Sequence, residues 1–159
     1  MDFLIRAAEK ADCDAIVELI RGLAVYEHLE DQMVNTAAQM EEMLFEQEAA
    51  KALVCEHEGK IVGYSIYFYT YSTFIGKKGI WLEDLYVHPE YRGNGIGKAF
   101  FKKLCETAVK EDCMRLEWSV LDWNAPSIAF YDSLGSKAMD DWTDRRLTRE
   151  GIENLVKTL

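Results

Sequence analysis

Apolar and polar positions recur along this chain with two different periods, and the changes of period mark out its elements. Phe3 to Arg6 is a short apolar run that suits a first strand. Asp12 stands where an N-cap belongs, ahead of Ile16, Leu19, Ile20 and Leu23, which recur at helical spacing up to Tyr26-Glu27. Thr36 followed three residues later by Gln39 has the form of a capping box and opens a second helix, with Met40, Met43 and Leu44 inward. Ala52–His57 and Ile61–Tyr69 are β-prone runs joined by Glu58-Gly59-Lys60, a hairpin signal. Tyr71 to Gly79 reads as a loop, and the next strand begins near Ile80 and stops at His88-Pro89.

A glycine-rich loop then leads into a helix from Ile96 to about Glu111, and Arg115–Val120 makes a further strand. Asn124 is placed as an N-cap, with Pro126 in the first turn of a helix that carries Ile128 to Tyr131 and stops at Gly135. Arg145–Thr148 reads as a last strand, and Thr148 as the cap of a short helix through Leu155 and Val156. The order predicts an α/β fold with a mixed, mostly antiparallel sheet, in which one parallel pair is joined through the central helix and helices flank the sheet. No repeat or linker interrupts it, so residues 1–159 are expected to form a single domain.

Composition narrows the function. Hydrophobic residues make up 49% of the chain, enough for an ordinary core without metal or disulfides. A net charge of −10 argues against a nucleic-acid partner and makes a cationic substrate easier to attract than an anionic one. Cys13, Cys55, Cys105 and Cys113 form no C-x-x-C pair and have no histidine at metal-ligand spacing. They read as buried reduced thiols, with Cys105 on the core face of the central helix, and no metal is expected. The absence of a signal-peptide pattern or an apolar run of membrane length points to the cytoplasm and to no membrane partner.

The chemistry concentrates between Trp81 and Lys98. A strand bearing Glu83 and Asp84 runs into a glycine loop and a helix N-terminus, where unpaired backbone N–H groups and a positive dipole end favour an anion. Gly93-Asn94-Gly95-Ile96-Gly97-Lys98-Ala99 is one residue too short for a triphosphate-binding loop, and Ala99 replaces the hydroxyl that holds magnesium. Lys98 stands where the third glycine of a dinucleotide loop belongs.

Arg92-Gly93-x-Gly95-x-Gly97 after an acidic strand resembles the GCN5-related N-acetyltransferase (GNAT) superfamily, and Asn124-x-x-Ser127 with Phe130-Tyr131 matches that family's second half. Tyr26-Glu27, Leu82-Glu83-Asp84 and Trp123-Asn124 narrow the likeness to the spermidine/spermine N1-acetyltransferase (diamine acetyltransferase) group. Tyr71-Ser72-Thr73 and Leu121-Asp122-Trp123-Asn124 are more similar to the thialysine N-epsilon-acetyltransferase branch, since the polyamine branch has an aspartate where this chain has Ser72.

The resemblance implies acetyl-CoA as cofactor, a small primary amine as acceptor and a homodimer. It places the pyrophosphate on the loop from Arg92 through Gly93, Asn94, Gly95, Ile96 and Gly97 to Lys98. It places pantetheine on Leu85, Tyr86, Val87, Asn124 and Ser127, with a backbone N–H from Leu85 to Val87 polarising the thioester carbonyl where the strand bulges. Glu83 is implied as the base that takes the amine proton, directly or through water, and Tyr131 as the acid for the departing thiolate. Tyr26, Glu27, Tyr71, Ser72 and Glu83 are implied on the substrate side. By strand alternation Asp84 should face away from Glu83 and be structural. No cysteine has a histidine partner at hand, so direct attack in a ternary complex is expected. The alternatives are a protein lysine as acceptor, or a non-catalytic acyl-CoA-binding module.

Overall fold

The computed structural model describes all 159 residues, and the chain divides into two compact units, Met1–Leu121 and Asp122–Leu159. The first unit holds one sheet in the order β1-β2-β3-β4-β5, made of Leu4–Ala7, Lys51–His57, Lys60–Ser72, Lys77–Val87 and Leu116–Glu117. Neighbours from β1 to β4 are antiparallel, and β4 and β5 are parallel. A parallel pair needs a crossover, and helix α3 (Ile96–Lys110) supplies it. The mixed, mostly antiparallel α/β fold expected from the sequence is the fold observed.

Helix α1 (Cys13–Glu27) lays Cys13, Ile16, Val17 and Leu19 on the sheet face that carries Val54, Tyr64 and Tyr86. Helix α3 buries Ile96, Phe100 and Leu104, one residue per turn, together with Phe101. The capping box at Thr36 forms, yet α2 lasts only from Ala37 to Glu41 before it widens into a π turn, Glu42–Glu46. That wider turn shifts the angular step between side chains, and Met43, expected inward, is exposed.

Other local expectations are corrected as well. Asp12 precedes α1 but makes no side-chain cap. Its carboxylate accepts two bonds from the Arg6 guanidinium, at 2.7 and 2.9 Å, and one from the Glu9 N–H at 2.7 Å. A nearly buried carboxylate beside an arginine fork satisfies more oxygen lone pairs this way than a cap alone would. β3 and β4 run further than expected, so only residues 73–76 connect them.

β5 keeps two residues of the six expected. Cys105 is exposed, because the buried stripe of α3 follows Ile96, Phe100 and Leu104 and leaves position 105 outside it. The second unit consists of helices α4 (Ala125–Ser133) and α5 (Arg149–Thr158). The strand expected over Arg145–Thr148 is absent. Arg145 and Arg146 follow Asp140, Asp141 and Asp144 in an exposed run with few apolar groups to bury.

Candidate active site

The site is organised by a β-bulge. Ile66 of β3 pairs with Asp84, but the next residue, Tyr67, pairs with Leu82, so Glu83 is the extra residue on β4. Directly paired residues share a face, which puts Trp81 and Asp84 on the same side of the sheet, opposite Phe68 and Ile66. The Trp81 indole N–H donates to Glu83 Oε2 at 3.0 Å and holds that carboxylate on this side too. Asp84 therefore does not face away from Glu83. Alternation along the strand fails at the bulge, and both carboxylates lie on the α1 face.

Glu27, the last residue of α1, completes an acidic group. Asp84 is half-buried, and burial raises its carboxyl to about 6, with Glu83 and Glu27 pushing the same way and the Tyr64 hydroxyl opposing. Burial also raises Glu27. Two partly buried carboxylates, Asp84 and Glu27, with the exposed Glu83 beside them, repel one another and favour either a proton or a cation among them. Asp84 is the functional candidate that reading the sequence missed.

The second consequence of the bulge concerns the backbone. Ile80 N–H donates towards β5, to Arg115 O at 2.9 Å, while His88 N–H donates towards β3, to Val62 O at 2.9 Å. Residues 80 and 88 would point the same way in a regular strand. With the extra residue between them, the backbone groups of Leu85 and Val87 turn to the edge of β4 that β5, paired only at Ile80 and Trp81, leaves open. Tyr86 is buried between strand and α1. The bulge itself lies at Glu83, two residues before the stretch expected to carry it.

Beyond Val87, Pro89–Tyr91 forms a short 3-10 turn and the glycine loop follows. Gly93 and Gly95 have φ of +79° and +84°, and nothing lies within 4 Å of where a Cβ would stand on either. The loop thus presents bare backbone to open space, which suits a close-approaching phosphate. Asn94 Nδ2 donates to Tyr91 O at 3.1 Å and Arg92 O at 3.3 Å and shapes the turn. Gly95 is the N-cap of α3 and no side chain caps it, so the first-turn N–H groups of Ile96, Gly97 and Lys98 face no protein acceptor of that kind. Lys98 is exposed. Arg92 Nε donates to Val87 O at 2.9 Å.

Tyr71 and Ser72 lie elsewhere on the first unit. They pair with Lys78 and Lys77 at the far end of the β3–β4 hairpin, five and six residues along β3 from Ile66, or roughly 16–20 Å at strand spacing. Ser72 Oγ accepts from the Arg115 guanidinium, and Tyr71 is exposed. The chain does not bring this pair to the acidic group by itself. In the second unit, Asn124 is buried and its Oδ1 accepts from Ser127 N–H at 3.4 Å, the expected cap of α4. Tyr131 lies half-buried one turn on, tilted against Phe130 with ring centroids 5.5 Å apart.

A bulged strand that opens a backbone edge, followed by a glycine loop and a helix whose N-terminus no side chain caps, is an arrangement suited to a ligand that carries an anionic group. The sequence profile of the acetyltransferase (GNAT) family matches residues 13–135, and the chain belongs to that family of enzymes. It is 37% identical to the thialysine N-epsilon-acetyltransferase of Sus scrofa, over 96% of each chain. It is 35% identical to the spermidine/spermine N(1)-acetyltransferase-like protein 1 of Homo sapiens, over 97% of this chain and 24% of that one. Among solved structures, an integron cassette protein from the mobile metagenome of V. cholerae superposes with a TM-score of 0.82, over 99% of each chain at 24% identity. No helix is long and apolar enough to cross a membrane.

Proposed function

We propose that the protein transfers acetyl from acetyl-CoA to a primary amine of a small cation, of the diamine, polyamine, lysine or thialysine kind, by direct attack in a ternary complex. The observation that carries this reading is the bulge at Glu83, which gathers Glu83 and Asp84 on one face and opens the edge of β4 next to the glycine loop. Acetyl-CoA, when bound, would supply the acetyl group as a thioester, with CoA thiolate as the leaving group. Arg92, Gly93, Asn94, Gly95, Ile96, Gly97 and Lys98 would hold its pyrophosphate, and the open backbone of Leu85 and the Val87 N–H, with Tyr86, Asn124 and Ser127, its pantetheine arm.

An alkylammonium with a pKa of about 10.4 arrives protonated at neutral pH. Glu27 and Asp84 would receive that charge, with Tyr26 beside them. Glu83, exposed and oriented by Trp81, would take the proton directly or through water. The Tyr131 phenol would return a proton on the donor side. Tyr71 and Ser72, too far along β3 to reach an amine held at Asp84 of the same chain, would serve the acceptor across a dimer interface. A homodimer belongs to the same proposal, since α5 exposes Ile152, Leu155 and Val156 along one side. Free cysteines at all four positions favour a reducing cytoplasm.

The test is a thiol-release assay of the protein and of Tyr131→Phe against spermidine, putrescine, lysine and thialysine, compared by kcat/KM. The expected result is release with at least one of these amines and a drop in kcat of about 100-fold or more in the variant, with acetyl-CoA binding retained. Binding of acetyl-CoA by both proteins with no thiol released on any amine would instead identify an acyl-CoA-binding module.

A further inference from the structure

We propose that Arg92, besides standing in the cofactor loop, positions the amine-side end of α1 by clamping Tyr26 against Tyr86. The inference rests on the reading of Glu27 as an amine-side carboxylate. The guanidinium carbon lies 5.2 Å from the Tyr26 ring centroid and 5.2 Å from that of Tyr86, so the cation is shared by two aromatic rings from α1 and β4. Its Nε is committed to Val87 O at 2.9 Å, which fixes the plane of the group to the strand end.

Tyr86 is held from the other side. A Cβ on Gly22 would lie 2.8 Å from the Tyr86 hydroxyl oxygen and 3.1 Å from Cε1, so the bare backbone of α1 rests on this ring. Strand, helix and loop thus meet in one stack. One layer is Tyr26, and the next residue is Glu27, whose carboxyl burial raises. Helix α1 ends there, at the left-handed His28, and its last turn carries no basic residue. Arg92 brings a positive charge to that helix end, where the dipole favours one.

A guanidinium can do this because it is flat and weakly hydrated, and a lysine at the same place offers a compact ammonium instead. The stack predicts that a change on the Tyr26 side alters amine affinity without touching the donors of the glycine loop. It also predicts that a change at Arg92 reaches both ligands.

The experiment compares Tyr26→Leu, Tyr26→Phe and Arg92→Lys with the parent, which is assayed first with the amine panel above. Three readouts are taken: amide hydrogen exchange over residues 24–28, KM for the best amine, and acetyl-CoA affinity by calorimetry. Tyr26→Leu should raise both the exchange rates and the amine KM by about 5- to 30-fold while acetyl-CoA affinity stays within about twofold. Arg92→Lys should show the same amine effect together with weaker acetyl-CoA binding, and Tyr26→Phe, which keeps the ring, should raise the exchange rates over residues 24–28 by less than Tyr26→Leu does. An unchanged amine KM in folded Tyr26→Leu, with or without faster exchange, overturns the proposal, as does an equal loss of acetyl-CoA affinity in that variant. A parent that acetylates none of the amines overturns the reading of Glu27 itself, and the order of assays separates that failure from the others.

Discussion

The hydroxyl of Tyr64 donates to Asp84 Oδ2 at 3.3 Å from a ring with no exposed surface. Asp84 thereby has a neutral donor on its buried side and two like charges, Glu83 and Glu27, around it. The Tyr64 bond lowers the carboxyl while burial and the like charges raise it, and burial wins. The result is a carboxyl near 6 that changes charge close to neutrality, in a place where a cationic amine would decide its state.

Removing that donor should therefore move the carboxyl further up. In Tyr64→Phe, Asp84 loses the hydrogen bond that lowers its carboxyl, and more of it is protonated at pH 7. KM for the amine should rise by about 3- to 10-fold, and the acidic limb of the kcat/KM profile should shift to higher pH. An acidic limb that stays where it is in the parent would show that Asp84 does not govern amine capture.

Asp84→Asn tests the same group through stability. The folded-state carboxyl, at about 6, lies above its ordinary value, so between roughly pH 4 and pH 6 the native protein binds more protons than the unfolded chain. Asp84 thus lowers stability as pH rises through that window, and above it the ionised group costs the fold on the order of 1–3 kcal/mol. The amide should remove that cost: relative to the parent it gains stability at pH 7.5, and the gain fades towards pH 4. Urea unfolding at the two pH values measures it. Amine KM should worsen in the same variant, a stability gain with a functional loss, as functional sites commonly show.

Asp84 also shows where reading the sequence stops. The sheet, α1 and α3 are legible because apolar spacing is local, and the glycine loop because Gly93 and Gly95 carry left-handed backbone that few other residues accept. A bulge is a mismatch between two strands. Nothing in Leu82-Glu83-Asp84-Leu85 alone announces that Tyr67 will pair two residues before Ile66's partner, so alternation assigns Asp84 to the wrong face. β5 is cut to two residues for a related reason: Arg115–Val120 has the pattern of a strand, yet pairing with β4 ends at Trp81, just before the bulge. The outward placement of Cys105 depends on how α3 is rotated against the sheet, and a stretch with apolar residues on more than one side leaves that rotation open.

Gly95→Ala should separate backbone conformation from sterics in the glycine loop proposed to hold the cofactor. At φ +84° an alanine costs about 1–2 kcal/mol, while no atom within 4 Å would meet its Cβ. The loop should relax by turning its N–H groups away from a common centre, and acetyl-CoA affinity should fall by about 10-fold, with kcat at saturation changed less. Gly76→Ala is the matched control, because Gly76 has φ +73° and equally open space at the tip of the β3–β4 hairpin. Equal effects of the two variants on acetyl-CoA affinity would remove the loop from cofactor binding.

Direct transfer predicts that no cysteine carries the acetyl group. Burial pushes the Cys55 thiol up to about 11 and raises Cys13 as well, so neither is a nucleophile at neutral pH, and Cys105 is exposed on α3. A maleimide should label Cys105 first. Cys105→Ser and Cys113→Ser, singly and together, should keep kcat/KM within about twofold, and Cys13→Ala and Cys55→Ala should lower the unfolding midpoint while sparing kcat. Mass spectrometry of the parent mixed with acetyl-CoA and no amine should find no acetylated cysteine. A stoichiometric acetyl-cysteine that disappears on adding amine, and whose substitution stops turnover in a folded protein, would replace direct attack by a two-step route.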